Sequence, residues 1–263
     1  MKRNLACLLL ILAAAGCAHR PQIDHSYQAK SQDSRVQFLI LHFTSEPWES
    51  SVRILTKDKV SSHYLVRDTP VEIYQLVPED RRAYHAGDSS WKGQTMLNAA
   101  SIGIEIQNLG DTKGPNGIVY HDYPKEQIDA VIDLVKAIVA RHEIRADRIL
   151  GHSDIAPQRK VDPGPTFPWK RFADEGIIPW PDASAVAAKR AHFEANLPNV
   201  EWFQAKLAEH GFLAPQTGKL DIATKNILSV FQMKYRQARY DGIPDGETAA
   251  LLDVLTTPVV KGP

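Results

Sequence analysis

The sequence predicts an α/β fold in which helices flank a central mixed β-sheet, followed by a small all-α domain of three helices. Residues 36–43 form an almost unbroken apolar run, typical of a strand that is covered on both faces. Residues 101–107 alternate isoleucine with glycine, glutamate and glutamine, which is the period of a strand with one apolar face. From residue 124 to residue 139, isoleucines and valines recur at the spacing of one helical stripe.

Length and charge limit the class of protein. The chain has 263 residues and 43% hydrophobic residues, so we expect one or two packed domains. Lysines plus arginines number 31, and aspartates plus glutamates also number 31. The chain therefore has no net positive charge that would attract a polyanion. We therefore expect no nucleic acid partner, and we expect a monomer.

The first 17 residues predict a lipoprotein signal peptide. Two basic residues precede the apolar run 5–15, which closes on small residues before Cys17. The run is too short to span a bilayer as a helix. Ala14 stands where such a lipobox usually has leucine. Cleavage before Cys17 would remove Cys7, exclude a disulfide and leave Cys17 as the lipidation site that anchors the protein to a membrane.

The residue after the cysteine predicts the destination. The leader resembles those of lipoproteins from bacteria with two membranes. Ala18, rather than aspartate, follows Cys17. The resemblance therefore implies an outer membrane lipoprotein that faces the periplasm. Residues 18–34 are polar and have no periodicity, so we expect them to form a tether.

Local patterns predict the other elements of the first domain. Residues 48–57 can form a short helix. Strand signals at residues 63–67 and 73–77 are separated by Asp68-Thr69-Pro70, which suits a hairpin-like reversal. The proline at position 124 fits the first turn of the long helix. Residues 148–152 predict another short strand, which ends on a histidine.

A change of composition marks a domain boundary. From residue 178 onward, prolines surround the alanine-rich segment 183–195. We place the first domain at residues 35–181, a linker at residues 182–197 and the second domain at residues 198–257.

The second domain contains an internal repeat. Residues 218–224 and 242–248 share the pattern Gly-x-x-Asp-x-x-Thr, and apolar residues at helical spacing follow each copy. Each copy resembles a turn that leads into a helix, where aspartate is a preferred N-cap. An earlier helix carries Val200, Phe203 and Leu207, so three short helices would share one small core.

Three residues are candidate metal ligands. His42 ends the first strand, His152 ends the strand at 148–152, and Asp162 follows in the next loop. Two neutral imidazoles and one carboxylate suit zinc and leave a fourth position open, as a catalytic site requires. Taken alone, His42 also fits a core histidine that is bonded to a backbone carbonyl. Sequence spacing does not pair His42 with His152, and the same ligand types can hold iron.

Several separated motifs resemble one family. Over residues 35–181 the chain is similar to the zinc-dependent N-acetylmuramoyl-L-alanine amidases of the amidase type 2 family. The motifs are Leu39-Ile40-Leu41-His42, Ser61-Ser62-His63-Tyr64, His85-Ala86-Gly87, Ser101-Ile102-Gly103-Ile104-Glu105 and the stretch 152–165. The resemblance implies one zinc ion held by His42, His152 and Asp162. It also implies hydrolysis of the amide between N-acetylmuramic acid and L-alanine in peptidoglycan or muropeptides, in wall turnover or recycling.

The resemblance assigns Glu105 and Lys160 to catalysis. Amide hydrolysis must deprotonate water, protonate the leaving amine and stabilise an oxyanion; a strand-borne carboxylate suits the first two tasks. A lysine two residues before a ligand suits the third. In isolation Glu105 also fits a solvated strand residue and Lys160 a surface charge.

Other positions are candidates for substrate contact. The resemblance suggests that the substrate cleft includes residues His63, Tyr64 and His85, although a structural role fits the two histidines as well. Trp91, Tyr84 and Asn98 could contact sugar or peptide, but aromatic residues in loops pack on cores as often. For Asp154 we expect an orienting role towards the loop or a ligand histidine.

The second domain resembles small three-helix peptidoglycan-binding domains, including Phe231-Gln232 on its middle helix. Such a domain would raise the local concentration of the first domain on a polymeric substrate. A purely structural helical appendage is the alternative. Two other functions remain open at this point. One is a lipoprotein that binds peptidoglycan without cleaving it, but the complete ligand set and Glu105 disfavour this function. The other is a zinc hydrolase of a different amide, which the presence of the second domain disfavours.

Overall fold

The computed structural model of the protein describes residues 22–115 and 117–257. The predicted signal peptide and Cys17 lie outside the described residues. Of the predicted tether, residues 22–33 are exposed and contain neither helix nor strand. The described residues from Ser34 onward belong to one compact unit. Within residues 22–115 and 117–257, no helix is both long and apolar enough to cross a bilayer.

Among the described residues, all strands of this unit lie before His152, and the chain continues from there with helices. The strands are β1 (Phe38–Phe43), β2 (Tyr64–Val66), β3 (Ile73–Gln75), β4 (Ser90–Trp91), β5 (Gln94–Thr95), β6 (Ser101–Ile106), β7 (Asp111–Gly114), β8 (Gly117–Tyr120) and β9 (Ile149–Gly151). The helices are α1 (Trp48–Lys57), α2 (Lys125–His142), α3 (His152–Ile155), α4 (Trp169–Asp174), α5 (Ala183–Ala195), α6 (Val200–His210), α7 (Ile222–Tyr235) and α8 (Gly246–Thr256).

Five strands form the central sheet, in the order β3-β2-β6-β1-β9. Strands β2, β6, β1 and β9 are parallel, whereas β3 pairs antiparallel with β2 through the predicted reversal. The sheet is therefore mixed, as the sequence predicts. Strands β4 with β5 and β7 with β8 form two separate hairpins.

One face of the sheet packs against α2. Isoleucines of β6 and leucines of β1 meet the apolar stripe of α2 in one buried cluster. The α2 residues are Ile128, Val131, Ile132, Val135 and Ile138, which confirms the predicted helical stripe. Pro124 lies immediately before the helix rather than within its first turn, because α2 begins at Lys125.

The opposite face packs against the C-terminal helices. Phe38 and Ile40 of β1 share a buried cluster with Phe203 of α6, Phe231 of α7 and Leu252 of α8. Helices therefore cover both faces of the sheet, which confirms the predicted fold class. Within the predicted linker, Ala183–Ala195 is the helix α5, which packs against α8.

Buried glutamines explain the repeated motif. On α6, Gln204 accepts a hydrogen bond from the N–H of Gly218 and donates to the hydroxyl of Thr224. On α7, Gln232 makes the same two contacts with Gly242 and Thr248. The aspartate of each copy caps the helix that follows it. Asp221 accepts a hydrogen bond from the N–H of Thr224, and Asp245 accepts one from the N–H of Thr248, at 2.8 Å in each case. Each Gly-x-x-Asp-x-x-Thr copy is thus a turn held by the preceding helix.

Candidate metal centre

The parallel strands deliver the candidate residues to one edge of the sheet. His42 lies near the end of β1, and Glu105 is its register partner on β6. The predicted strand before His152 ends one residue earlier, at Gly151, and His152 opens the short helix α3. Asp162 follows in the next loop. Because the carboxyl ends of parallel strands meet at one edge, residues far apart in sequence converge there.

The side chains of His42, His152 and Asp162 form a buried triangle. His42 Nδ1 lies 3.0 Å from His152 Nδ1 and 3.0 Å from Asp162 Oδ2, and His152 Nδ1 lies 3.1 Å from the same oxygen. All three residues are at most 5% exposed. These atoms form a group that could hold a metal ion.

The tautomer of His152 follows from its second ring nitrogen. His152 Nε2 lies 3.2 Å from the carbonyl oxygen of Ala86, which can only accept a hydrogen bond. Arg159 donates to the same carbonyl, which places its Nη2 3.4 Å from the ring. With its ring proton on Nε2, neutral His152 donates to the carbonyl of Ala86, and Nδ1 then directs a lone pair into the triangle.

A chain of hydrogen bonds fixes the tautomer of His42. The hydroxyl of Ser101 donates to the carbonyl of Leu97 at 2.6 Å, so its oxygen accepts from His85 Nε2 at 3.1 Å. His85 Nδ1 is then an acceptor, and His42 Nε2 donates to it across 3.0 Å. His42 Nδ1 consequently carries no proton and also directs a lone pair into the triangle.

The donor set fits a bound cation. In these tautomers two imidazole lone pairs and a carboxylate oxygen face one another, and no proton joins the two nitrogens. A tetrahedral zinc ion with bonds of about 2.0–2.1 Å separates its ligand atoms by about 3.3 Å, close to the spacing found here. Burial and the neighbouring His152 lower the pKa of His42 to about 4. Burial alone would raise the pKa of Asp162, but His152 and His42 lower it well below its ordinary value.

Glu105 lies beside this triangle. Its Oε2 atom is buried and has no hydrogen-bond partner among the residues that the structure describes. Burial and the nearby Asp162 carboxylate raise the pKa of Glu105 well above its ordinary value, and Lys160 opposes that shift. A carboxyl group with a raised pKa and an oxygen without a partner suits proton transfer.

The triangle opens into a cleft of about 350 Å³. Glu105 and Lys160 both line it, so the structure brings the two predicted catalytic residues together with the predicted ligands. Other polar residues of the lining were not predicted as site residues, among them Ser45, Asp111 and Arg159. Among these, only Arg159 had a local signal, its place next to Lys160.

Of the predicted substrate contacts, Tyr84 and His85 line the cleft. The His85 ring packs against Gly103, where an added Cβ would lie 2.5 Å from the imidazole, so β6 needs glycine at this point. Asn98 accepts hydrogen bonds from the backbone N–H groups of His85 and Ala86 and holds that loop.

The remaining predicted substrate contacts are buried away from the cleft lining. His63 accepts from Gly103 N and donates to the carbonyl of Arg81. The hydroxyl of Tyr64 donates to Glu79 at 2.6 Å. Trp91 is 2% exposed and donates to the carbonyl of Asp147. The assignment of these side chains to substrate binding stays a prediction.

Comparison with known proteins adds a family. The family profile described as N-acetylmuramoyl-L-alanine amidase matches residues 32–165, and that of a peptidoglycan binding domain matches residues 196–252. N-acetylmuramoyl-L-alanine amidase AmiD of Escherichia coli (strain K12) is 37% identical over 274 residues, covering 97% of this chain and 98% of AmiD. The 1,6-anhydro-N-acetylmuramyl-L-alanine amidase AmpD of Citrobacter freundii is 35% identical over 56% of this chain and 83% of AmpD.

Solved structures agree with the sequence comparison. Escherichia coli AmiD in complex with the substrate anhydro-N-acetylmuramic acid-L-Ala-D-γ-Glu-L-Lys gives a TM-score of 0.80 at 37% identity, over 89% of this chain and 94% of that chain. AmpDh3 from Pseudomonas aeruginosa in complex with anhydromuramic pentapeptide gives 0.83 at 37% identity, over 89% and 96%.

Proposed function

The chain belongs to the N-acetylmuramoyl-L-alanine amidase family, and we propose that it hydrolyses the amide between N-acetylmuramic acid and L-alanine with one zinc ion held by His42, His152 and Asp162. The observation that carries the metal assignment is the convergence of two imidazole lone pairs and a carboxylate within 3.1 Å of one another. A zinc ion held by these residues would supply Lewis acidity to polarise a carbonyl and to lower the pKa of water.

The protein's own groups would supply the proton transfers and the charge stabilisation. Glu105 lies in the cleft beside the three ligands, so it would take a proton from the attacking water and pass it to the leaving amine of L-alanine. Lys160 lines the same cleft, and its ammonium group would stabilise the oxyanion that develops on the amide carbonyl.

The substrate class follows from the relatives. AmiD and AmpDh3 have been solved with anhydromuramyl peptides bound, and both resemble this chain over nearly nine-tenths of its length. We propose that this chain acts on the same class of muropeptide, in wall turnover or recycling. The cleft volume of about 350 Å³ suits part of such a ligand.

We also propose where the protein works. A lipid on Cys17 would hold it in the outer membrane facing the periplasm, with residues 18–34 as a tether. The catalytic domain would span residues 35–181, and residues 198–257, which overlap the peptidoglycan-binding match, would hold the monomeric enzyme on the wall.

Incubation of the purified chain with muropeptides in the presence of zinc tests the reaction. Mass spectrometry should detect stem peptides that begin with L-alanine, released intact from the sugar. Unchanged muropeptide under these conditions would disprove the activity. The variant His42→Ala should lose bound metal and activity together, because it removes one corner of the triangle.

A further inference from the structure

A buried ion pair joins the C-terminal helices to the metal centre. Lys234 of α7 is 5% exposed, and its Nζ lies 2.7 Å from Oδ2 of Asp154, which is 2% exposed. The ammonium group also lies over the ring of Trp169, 4.3 Å from the centroid. Removing both charges from water costs free energy that the attraction between them rarely exceeds. Stability alone therefore does not account for the pair.

Asp154 has a second contact, with the turn that carries a ligand. The same Oδ2 atom accepts a hydrogen bond from the N–H of Gly151 at 2.8 Å, and Gly151 directly precedes His152. The turn has little room to move, because a Cβ on Gly151 would lie 2.6 Å from Cδ of Pro163. The position of His152 therefore depends on the turn, and Asp154 holds the turn.

Other contacts join the same loop to α7. The side chain of Gln158 donates to the carbonyl of Ala223 at 3.1 Å and accepts from Asn226 at 3.0 Å. Gln158 lies between the ligands His152 and Asp162 in sequence. A wall-binding module that only raises local concentration would need none of these contacts.

We propose that the C-terminal domain is part of the metal centre. Lys234 fixes Asp154, and Asp154 fixes the turn at which His152 Nδ1 faces His42 and Asp162. Lys234 and Asp154 are positioning residues that act on the ligand through the backbone. This inference rests on the proposed function, since it takes the three side chains as a zinc site.

The zinc dissociation constant of the purified chain, measured by competition with a chromophoric chelator, tests the proposal without an activity assay. Lys234→Met should raise the dissociation constant about tenfold to hundredfold, the usual effect of losing a group that holds a metal ligand in position. The matched control is Lys189→Met, which removes the ion pair with Asp253 between α5 and α8, far along the chain from the ligand turn. The control should bind zinc as the wild type does.

A double variant separates positioning from loss of folding. Lys234→Met leaves the Asp154 carboxylate buried without its cation, so this variant is at risk of unfolding. Lys234→Met combined with Asp154→Asn removes that lone charge, and it should bind zinc as Asp154→Asn alone does, because Lys234 acts through Asp154.

Two results would overturn the inference alone: wild-type zinc affinity in folded Lys234→Met, or a double variant weakened by the product of the two single effects. A wild-type chain that binds no zinc would overturn the proposed function, and this inference with it.

Discussion

Glu105 and His42 are register partners on the parallel strands β6 and β1, so their side chains point to the same face and the same edge of the sheet. The pairing places a carboxyl group with a raised pKa beside the first ligand of the proposed metal site without making it a ligand. One strand register therefore positions both a proposed metal ligand and the proposed proton-transfer group.

Glu105→Gln should separate these two roles. Loss of the carboxyl group should lower kcat by about 10²- to 10⁴-fold, because general acid–base catalysis contributes that much, while the ligand triangle stays intact. Steady-state kinetics and bound metal measured by elemental analysis check the two effects on the same sample. Full activity in Glu105→Gln would show that another group moves the protons.

Ser101→Ala should weaken metal binding from a distance. The Ser101 oxygen accepts from His85, and this contact keeps His42 Nδ1 free of a proton. Without that acceptor, His85 can place its proton on Nδ1, which favours the wrong tautomer of His42. We expect an approximately tenfold increase in the metal dissociation constant, measured by chelator competition.

Ser62→Ala is the matched control for Ser101→Ala. Ser62 is also fully buried, but its hydroxyl has no hydrogen-bond partner among the described residues. Metal affinity should stay at the wild-type value in this variant. Equal loss in both serine variants would mean that packing, and not the hydrogen-bond chain, governs the affinity.

The sequence predicts elements well where a local pattern determines them. The α1 helix matches its predicted limits, and the alternation of residues 101–107 and the stripe of α2 correctly predict which faces enter the core. The site depends instead on register and on strand order. Nothing local places β9 beside β1, so His42 and His152 could be paired only through resemblance to a family.

The type of a residue does not predict which distant residue will be its hydrogen-bond partner. His63 and Tyr64 have the composition of a binding motif, yet Gly103, Arg81 and Glu79 satisfy their polar atoms. Lys234 and Asp154 are 80 residues apart in sequence. A lysine on a helix ordinarily indicates that its side of the helix faces solvent. Only the folded arrangement shows that these side chains are internal.

Lys160→Met should slow turnover while leaving the fold unchanged. Lys160 lines the cleft beside Glu105, and methionine keeps most of its length without the charge. Loss of an oxyanion donor typically lowers kcat by about 10²- to 10³-fold, so we expect an effect of that size with a smaller change in KM. The control Lys125→Met removes an exposed lysine that pairs with Asp129 on α2, and its kinetics should match the wild type. An unchanged kcat in Lys160→Met would exclude this residue from catalysis.

Glu79→Gln should lower stability in a pH-dependent way. Burial alone would raise the pKa of Glu79, but hydrogen bonds from Arg141, Tyr64 and His142 lower it to about 2. A carboxylate with a depressed folded pKa stabilises the protein above its unfolded pKa of roughly 4.3, and this contribution is lost as the pH falls towards 2. Urea unfolding should therefore show a deficit of about 1 to 2 kcal/mol for Glu79→Gln at pH 6, which shrinks as the pH is lowered to 3.

The comparison with an exposed carboxylate makes this pH prediction specific to the Glu79 network. Glu175 pairs with Lys136 across the surface, where both side chains are more than two-fifths exposed, so Glu175→Gln should change the unfolding free energy by less than about 0.5 kcal/mol. Because each variant is compared with the wild type at the same pH, protonation of the metal ligands affects both proteins and cancels from the difference. A Glu79→Gln deficit that stayed constant from pH 6 to pH 3 would mean that lost packing around Tyr64, rather than the charge of the carboxylate, stabilises this part of the sheet.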